Sequence, residues 1–126
     1  MPNPVVKWQI LARDAEGVAR FYSSLFGWTL NADNALGYRE LRSGDDSGID
    51  GGVWPLGYEG GHDVPNFVQL FVEVEDVDAM IAKATAAGAK VLMPKSALPD
   101  GDTMAVLLDP HGMSFALMAR RAASNH

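Results

Sequence analysis

Four polar side chains interrupt two otherwise apolar stretches and are the residues best suited to do chemistry. Lys7 and Gln9 lie in "VVKWQIL", and Gln69 and Glu73 lie in "FVQLFVEV". A lysine and a glutamate can exchange protons with a bound molecule when burial brings their pKa values towards neutrality. The two amides can donate and accept hydrogen bonds. Lys7 and Glu73 are therefore the candidate catalytic residues, and all four side chains are candidate ligand contacts.

Strand alternation groups these residues with others that face the same way, because successive side chains of a strand point to opposite faces. The groups are Lys7, Gln9 and Leu11; Gln69, Phe71 and Glu73; and Ser114, Ala116 and Met118. Such a lining suits a small organic molecule with an anionic or carbonyl group near Lys7 and an apolar body against Phe71 and Met118. The alternative is that Lys7 pairs with Glu73 or extends into solvent.

The histidines are weaker candidates. His62 and Asp63 are neighbours in a glycine-rich stretch, where a solvated loop is favoured over fixed ligand geometry. His111 lies in "DPHG", which is a turn sequence, and His126 is the last residue of the chain.

Three aromatic residues could form a wall for a planar ligand, although core or interface packing explains them equally well. They are Trp28, Trp54 and Tyr58. The sequence contains no glycine-rich phosphate loop, nucleophile elbow or paired-histidine motif.

The elements that carry these residues form an internal repeat. The segment "VVKWQILARDAEGVARFYSSLFGWTL" aligns with "FVQLFVEVEDVDAMIAKATAAGAKVL", so that Lys7 lies over Gln69. Each copy predicts a strand, a helix and further short strands. Asp14 and Asp76 precede the helical periodicity as N-caps, and a glycine follows each helix. We predict module one at about residues 1–57, a Gly-rich linker at about 57–66 and module two at about 66–120.

Composition limits the possible partners. The chain has 126 residues, a net charge of −6 and no cysteine. A negative field disfavours nucleic acid and anionic membranes, and the absence of cysteine fits a reducing compartment. No apolar run approaches the ~20 residues that a membrane span needs, and the N-terminus does not look like a signal peptide. We therefore expect a cytoplasmic protein.

"FYSSLFGW" and "DPHGMSFALM", with the paired modules between them, resemble the vicinal oxygen chelate superfamily. That superfamily contains glyoxalase I, extradiol dioxygenases, and fosfomycin and bleomycin resistance proteins. The resemblance covers nearly the whole chain. It implies an α+β fold in which two βαβββ modules form an incomplete barrel around a ligand cavity, and it implies a homodimer.

The resemblance also implies positions for a divalent metal, which the catalytic members hold with side chains from the first and last strands of each module. Those positions carry Lys7, Gly52 (or its neighbour Gly51), Gln69 and Ala116 here. Only Gln69 could bind a metal in its ordinary state. We therefore expect no metal cofactor.

Two functions remain open on the sequence. The first is a metal-free protein that binds a small organic molecule in the cavity, as the drug-sequestering branch of the superfamily does. The second is a glyoxalase-type lyase or isomerase, or a dioxygenase-like enzyme. It would use displaced metal ligands such as Gln9, Gln69 or Glu73, or acid-base chemistry by Lys7 and Glu73. The departures from the metal site favour the first. The dimer is expected to bury apolar residues around Trp54 and Tyr58.

Overall fold

A computed structural model describes residues 2–34, 37–56, 66–98 and 101–120. Within these ranges it contains eight strands and two helices. The elements are β1 (Val5–Ala12), α1 (Ala15–Phe26), β2 (Thr29–Asn31), β3 (Arg39–Arg42), β4 (Gly51–Pro55), β5 (Phe67–Glu73), α2 (Val77–Ala86), β6 (Lys90–Ala97), β7 (Thr103–Leu108) and β8 (Ser114–Ala119). The prediction of an α+β fold with the order βαβββ in each half is confirmed. Tyr58, His62, Asp63 and His126 lie outside the described residues.

The chain forms two compact units. The first unit comprises residues 6–69, and the second comprises residues 1–5 with residues 70–126. In the first unit the strand order is β2-β3-β4-β1, with β1 parallel to β4 and the other neighbours antiparallel. In the second unit the order is β5-β8-β7-β6, with β5 parallel to β8.

Helix α1 begins and ends where the sequence predicts. The Asp14 carboxylate accepts a hydrogen bond from the Gly17 amide at 2.9 Å, which satisfies a donor that the helix leaves unpaired. Gly27 ends the helix with φ of 72°, a conformation that glycine adopts without strain. The helix then buries Ala15 and Ala19 against one face of the sheet.

The core of the first unit lies between α1 and that sheet face. It consists of the buried residues Ala12, Ala15, Ala19, Leu41 and Val53, with Trp8, Ile10, Val18, Trp28 and Leu30 packed against them. The alternation predicted for β1 is confirmed, since its even-numbered residues from Trp8 onwards face the helix.

The second unit repeats this arrangement around α2. Asp76 caps the helix by accepting a hydrogen bond from the Ala79 amide at 3.1 Å. The core consists of Val74, Val77, Ala105, Leu107 and Leu117, with neighbours that include Val72 and Phe115. Val68 and Leu70, which the alternation groups with Val72 and Val74, are 59% and 49% exposed. Among the described residues, neither helix has the length and apolar character required to cross a membrane.

Candidate ligand site

The face of the first unit's sheet that points away from α1 carries the most distinctive cluster of polar and aromatic side chains. We call it the helix-distal face of the first unit. It presents Lys7 and Gln9 from β1, Gly52 and Trp54 from β4, and Tyr38 from the segment before β3. Strand alternation places them there, because their sequence neighbours in β1 and β4 point towards the helix.

Tyr38 is the centre of this face. Its ring lies directly over Gly52, where a Cβ atom would overlap the Tyr38 hydroxyl end. On one side it packs against Trp54, with 4.6 Å between ring centroids and 32° between ring planes. The Lys7 ammonium lies 5.1 Å from the Tyr38 ring centroid, a distance at which the ring's negative face attracts a cation.

The Tyr38 hydroxyl is buried without a hydrogen-bond partner in the described part of the chain. Burial raises the pKa of this hydroxyl above its ordinary value of 10.0, and the negative charges of Glu40 and Asp50 raise it further. The Arg42 guanidinium lies 3.6 Å from each of these two carboxylates and offsets part of their field. The hydroxyl is therefore neutral at physiological pH and remains a hydrogen-bond donor.

Two buried amides lie beside this cluster. The Gln9 Nε2 group donates a hydrogen bond of 2.5 Å to Gln69 Oε1, and the two residues are only 3% and 2% exposed. The Gln9 Oε1 atom has no hydrogen-bond partner among the described residues. Buried polar atoms in folded proteins are nearly always paired, so an unpaired acceptor and an unpaired donor on one face of a sheet are unusual.

The remaining predicted contacts lie in the second unit and form two neighbouring pairs. Phe71 is opposite Ala116, and Glu73 is opposite Met118 across the parallel strands β5 and β8. Phe71 and Ala116 are fully buried, and Met118 is 7% exposed. Ser114 begins β8 and is half-buried. The second-unit contacts are thus mainly apolar.

Glu73, a candidate catalytic residue, has a structural partner. Its carboxylate lies 2.7 Å from the Arg120 guanidinium, and its backbone carbonyl accepts a hydrogen bond from the Asn3 side chain. Lys7 and Glu73 belong to different units.

Two alternatives from the sequence are resolved by the packing. Trp28 packs on the helix side of the sheet, 5.6 Å from the ring of Trp8, so the core interpretation is correct for Trp28. His111 is an exposed turn residue whose amide donates to the Asp109 carboxylate at 2.7 Å. Hydrogen bonds from the amides of Met113 and His111 hold the pKa of Asp109 below its usual range.

The positions that the resemblance implies for metal ligands make other contacts in the structure. Tyr38 fills the space in front of Gly52, and Gln69 is hydrogen-bonded to Gln9. In the described ranges, no three His, Cys, Asp or Glu side chains come together as a group that could hold a metal ion.

Tyr38 is the functional candidate that reasoning from the sequence missed. It lies outside the alternating apolar stretches, in the segment "GYRELR". The available signal was the pair Gly51-Gly52, because glycine inside a strand often marks a place where a bulky group or another backbone approaches closely. From the sequence alone, Gly52 or its neighbour Gly51 stands out only as a position where a metal ligand is missing.

Comparisons with known proteins agree with this fold. The model of the family described as "Glyoxalase-like domain" matches residues 6–118. The protein named "Putative glyoxylase CFP32" in Mycobacterium bovis is 35% identical over 115 residues, which cover 88% of this chain and 42% of that protein. The protein of the same name in Mycobacterium tuberculosis matches equally. The chain therefore spans less than half the length of these curated relatives.

Solved structures extend the likeness at lower identity. The hypothetical protein BH1468 from Bacillus halodurans superposes with a TM-score of 0.72 at 13% identity, with both chains fully covered. A Streptomyces coelicolor methylmalonyl-CoA epimerase variant, in complex with 2-nitronate-propionyl-CoA, gives a TM-score of 0.65 at 19% identity and covers 100% of this chain and 99% of that one. These similarities concern the fold. The family match over residues 6–118 shows that the chain belongs to the glyoxalase-like family of the vicinal oxygen chelate superfamily.

Proposed function

We propose that this glyoxalase-like protein binds a small organic molecule at the helix-distal face of the first unit, without a metal ion. The observation that carries the proposal is the stack of Lys7, Tyr38 and Trp54, in which a cation and two aromatic rings form one continuous surface. Aromatic walls with a few polar groups are typical of small-molecule sites. The ligand is expected to combine an aromatic or apolar body with an anionic or carbonyl group.

Lys7 is the group expected to recognise the charged part of the ligand. It is half-buried, and an ammonium partly removed from water attracts a carboxylate, phenolate or carbonyl more strongly than a solvated one does. Glu40 and Asp50 would oppose an anion, but Arg42 lies between their carboxylates and reduces this effect. Trp54 would contact the apolar body.

The residues present do not fit the metal site of the family's catalytic members. Of the positions carried over from the resemblance, Lys7 is a cation and Gly52 has no side chain and lies beneath the Tyr38 ring. Ala116 is a buried methyl group. A divalent ion needs about three well-placed lone-pair donors, and Gln69 alone supplies one. Binding is therefore proposed to be independent of metal.

The proposal is tested with 1-naphthoate, which has a planar apolar body and one carboxylate. Isothermal titration should detect binding to the parent protein, with the same dissociation constant before and after EDTA treatment. Lys7→Met keeps the length of the side chain and removes the charge, so it should weaken binding by about 1.5–3 kcal/mol. Lys83→Met, which removes an exposed charge from α2, is the matched control and should leave the affinity unchanged.

Three results would contradict the proposal. One is the absence of binding to the parent, and another is equal affinity of the parent and Lys7→Met. The third is loss of binding in EDTA that returns with added zinc, nickel, iron or manganese, which would support the glyoxalase-type or dioxygenase-like enzyme instead.

A homodimer and a cytoplasmic location also belong to this proposal. Trp54, Pro55 and Leu56 at the end of β4 are half-buried apolar residues, and a group of apolar residues at the surface favours burial against a second chain. The absence of cysteine supports a reducing compartment. Light scattering at micromolar concentration should give twice the monomer mass, and the monomer mass would contradict the dimer.

A further inference from the structure

Two neighbouring residues of the first unit each carry a buried polar atom without a hydrogen-bond partner in the described residues. Gln9 Oε1 is an acceptor without a donor, and the Tyr38 hydroxyl is a donor without an acceptor in the described residues. Gln9 is the register partner of Gly52 across β1 and β4, and the Tyr38 hydroxyl lies over Gly52. Neighbouring strands are roughly 4.8 Å apart, so Gln9 and Tyr38 are neighbours on this face of the sheet.

The orientation of the Gln9 amide is fixed by its neighbour. Its Nε2 group donates to Gln69 Oε1 at 2.5 Å, which leaves the oxygen end towards the unpaired side. Gln9 Oε1 therefore requires an N–H or O–H donor. A carboxylate or an ether oxygen placed there would repel it.

Tyr38 can leave the space above Gly52 without disturbing its own backbone. The Tyr38 amide donates to Asn34 Oδ1 at 3.1 Å, and its carbonyl accepts from Asn34 Nδ2 at 2.6 Å. The side chain has no such anchor at its hydroxyl end, which lies over a glycine. Rotation of the ring towards solvent would hydrate the hydroxyl and open the space above Gly52.

We infer that the Tyr38 side chain occupies the place of an aromatic ligand, and that a planar aromatic ligand with an N–H or O–H on its inner edge displaces it. This inference rests on the proposed function and specifies its ligand class. The displacing ring would pack against Trp54 beneath Lys7, as Tyr38 does, and its donor would pair with Gln9 Oε1. Both unpaired atoms would then be satisfied.

The test uses two carboxylates of the same shape. Indole-3-carboxylate has a ring N–H, and benzofuran-3-carboxylate has an oxygen in its place. The parent should bind the indole about tenfold more tightly, because only the indole can donate to Gln9. Gln9→Met keeps the side-chain volume and removes the acceptor, so it should abolish this preference.

Variants of Tyr38 test the displacement itself. Tyr38→Ala should tighten the binding of both compounds severalfold, because no ring has to leave, and should preserve the preference for the indole. Tyr38→Phe keeps the ring without its unpaired hydroxyl, so it should weaken the binding of both compounds severalfold. Circular dichroism checks that each variant is folded. If Tyr38→Ala does not fold, Tyr38→Phe alone tests the displacement.

The failures of the two proposals are distinguishable. No binding of either compound by the parent would overturn both. Equal binding of the two compounds, or an indole preference that persists in Gln9→Met, would overturn the contact with Gln9 and leave the ligand site standing. Weaker binding of both compounds by Tyr38→Ala, or unchanged binding by Tyr38→Phe, would overturn the displacement, since Tyr38 would then be a fixed wall of the site.

Discussion

The helix-distal faces of the two units differ in polarity, although the units share one order of elements. The first unit presents Lys7, Gln9 and Tyr38 on this face, and two of their polar atoms are buried and unpaired. The corresponding face of the second unit buries Phe71 and Met118. The helix-side cores are alike, since both consist of aliphatic residues packed against one capped helix.

This difference shows that the helix-distal face contributes to packing in the second unit more than it does in the first. Apolar residues on both faces of the second unit contribute burial and leave few polar groups to satisfy. Unpaired polar atoms in the first unit cost stability, so their presence favours a role in binding over a role in folding.

The largest loss of stability is expected from truncating Phe71, the apolar residue of the second unit at the position that matches Gln9. The overlay of Lys7 on Gln69 places Phe71 where the first unit has Gln9. Phe71→Ala should lower the free energy of unfolding by about 3–5 kcal/mol, because the ring is fully buried. Gln9→Ala should cost about 1–3 kcal/mol, because it removes the buried hydrogen bond that the Gln9 amide donates to Gln69. Urea denaturation of both variants measures the difference, and an equal or larger cost at Gln9 would contradict the comparison.

A smaller loss of stability is expected from substituting Gly51 or Gly52 in β4. The second unit has Ala116 at the position that matches Gly52. A methyl group at Gly51 would overlap the Trp8 carbonyl and indole, and backbone cannot move easily. Gly51→Ala should therefore cost about 1–3 kcal/mol.

The matched variant, Gly52→Ala, should cost less than about 1 kcal/mol, because the atoms it meets belong to the movable end of the Tyr38 side chain. Urea denaturation gives both values. A larger cost for Gly52→Ala than for Gly51→Ala would show that Tyr38 is held rigidly and would weaken the contrast between the units.

These glycines also show how much of the structure can be predicted from the sequence. The helices, their aspartate caps and the alternation of β1 follow from local rules, and the structure confirms them. The position of Tyr38 depends on how the segment before β3 returns over β4. That path is a tertiary property that no local pattern encodes. The pairing of Gln9 with Gln69, 60 positions apart in the chain, is likewise a tertiary contact.

The smallest change in stability is expected for Tyr38→Phe, and its size depends on pH. The groups that act on its hydroxyl or ring include Lys7, Glu40 and Asp50, and Tyr38→Phe retains all three. Because the folded pKa is raised, the unfolded chain releases this proton near pH 10.0 while the folded chain still holds it. The stability that the raised pKa contributes is thus complete below pH 10.0 and is lost as pH rises towards the folded pKa.

Tyr38→Phe should change the free energy of unfolding by less than about 1 kcal/mol at pH 7, since it removes only an unpaired hydroxyl. At pH 11 the parent should have lost more stability than the variant has. Guanidinium denaturation at both pH values measures this difference. A gap that does not change with pH would contradict the buried, neutral hydroxyl.

The central claim is that the helix-distal face of the first unit holds a metal-free ligand site. Its most direct test is a two-dimensional NMR titration with 1-naphthoate in EDTA that follows the three tryptophan indole N–H signals. Trp54 lies on this face, whereas Trp8 and Trp28 pack on the helix side. Trp54→Phe assigns its signal by removing it. The account predicts that the Trp54 signal shifts to saturation while those of Trp8 and Trp28 hardly move. Saturating shifts at Trp8 or Trp28 with none at Trp54, or no shifts at all, would contradict it.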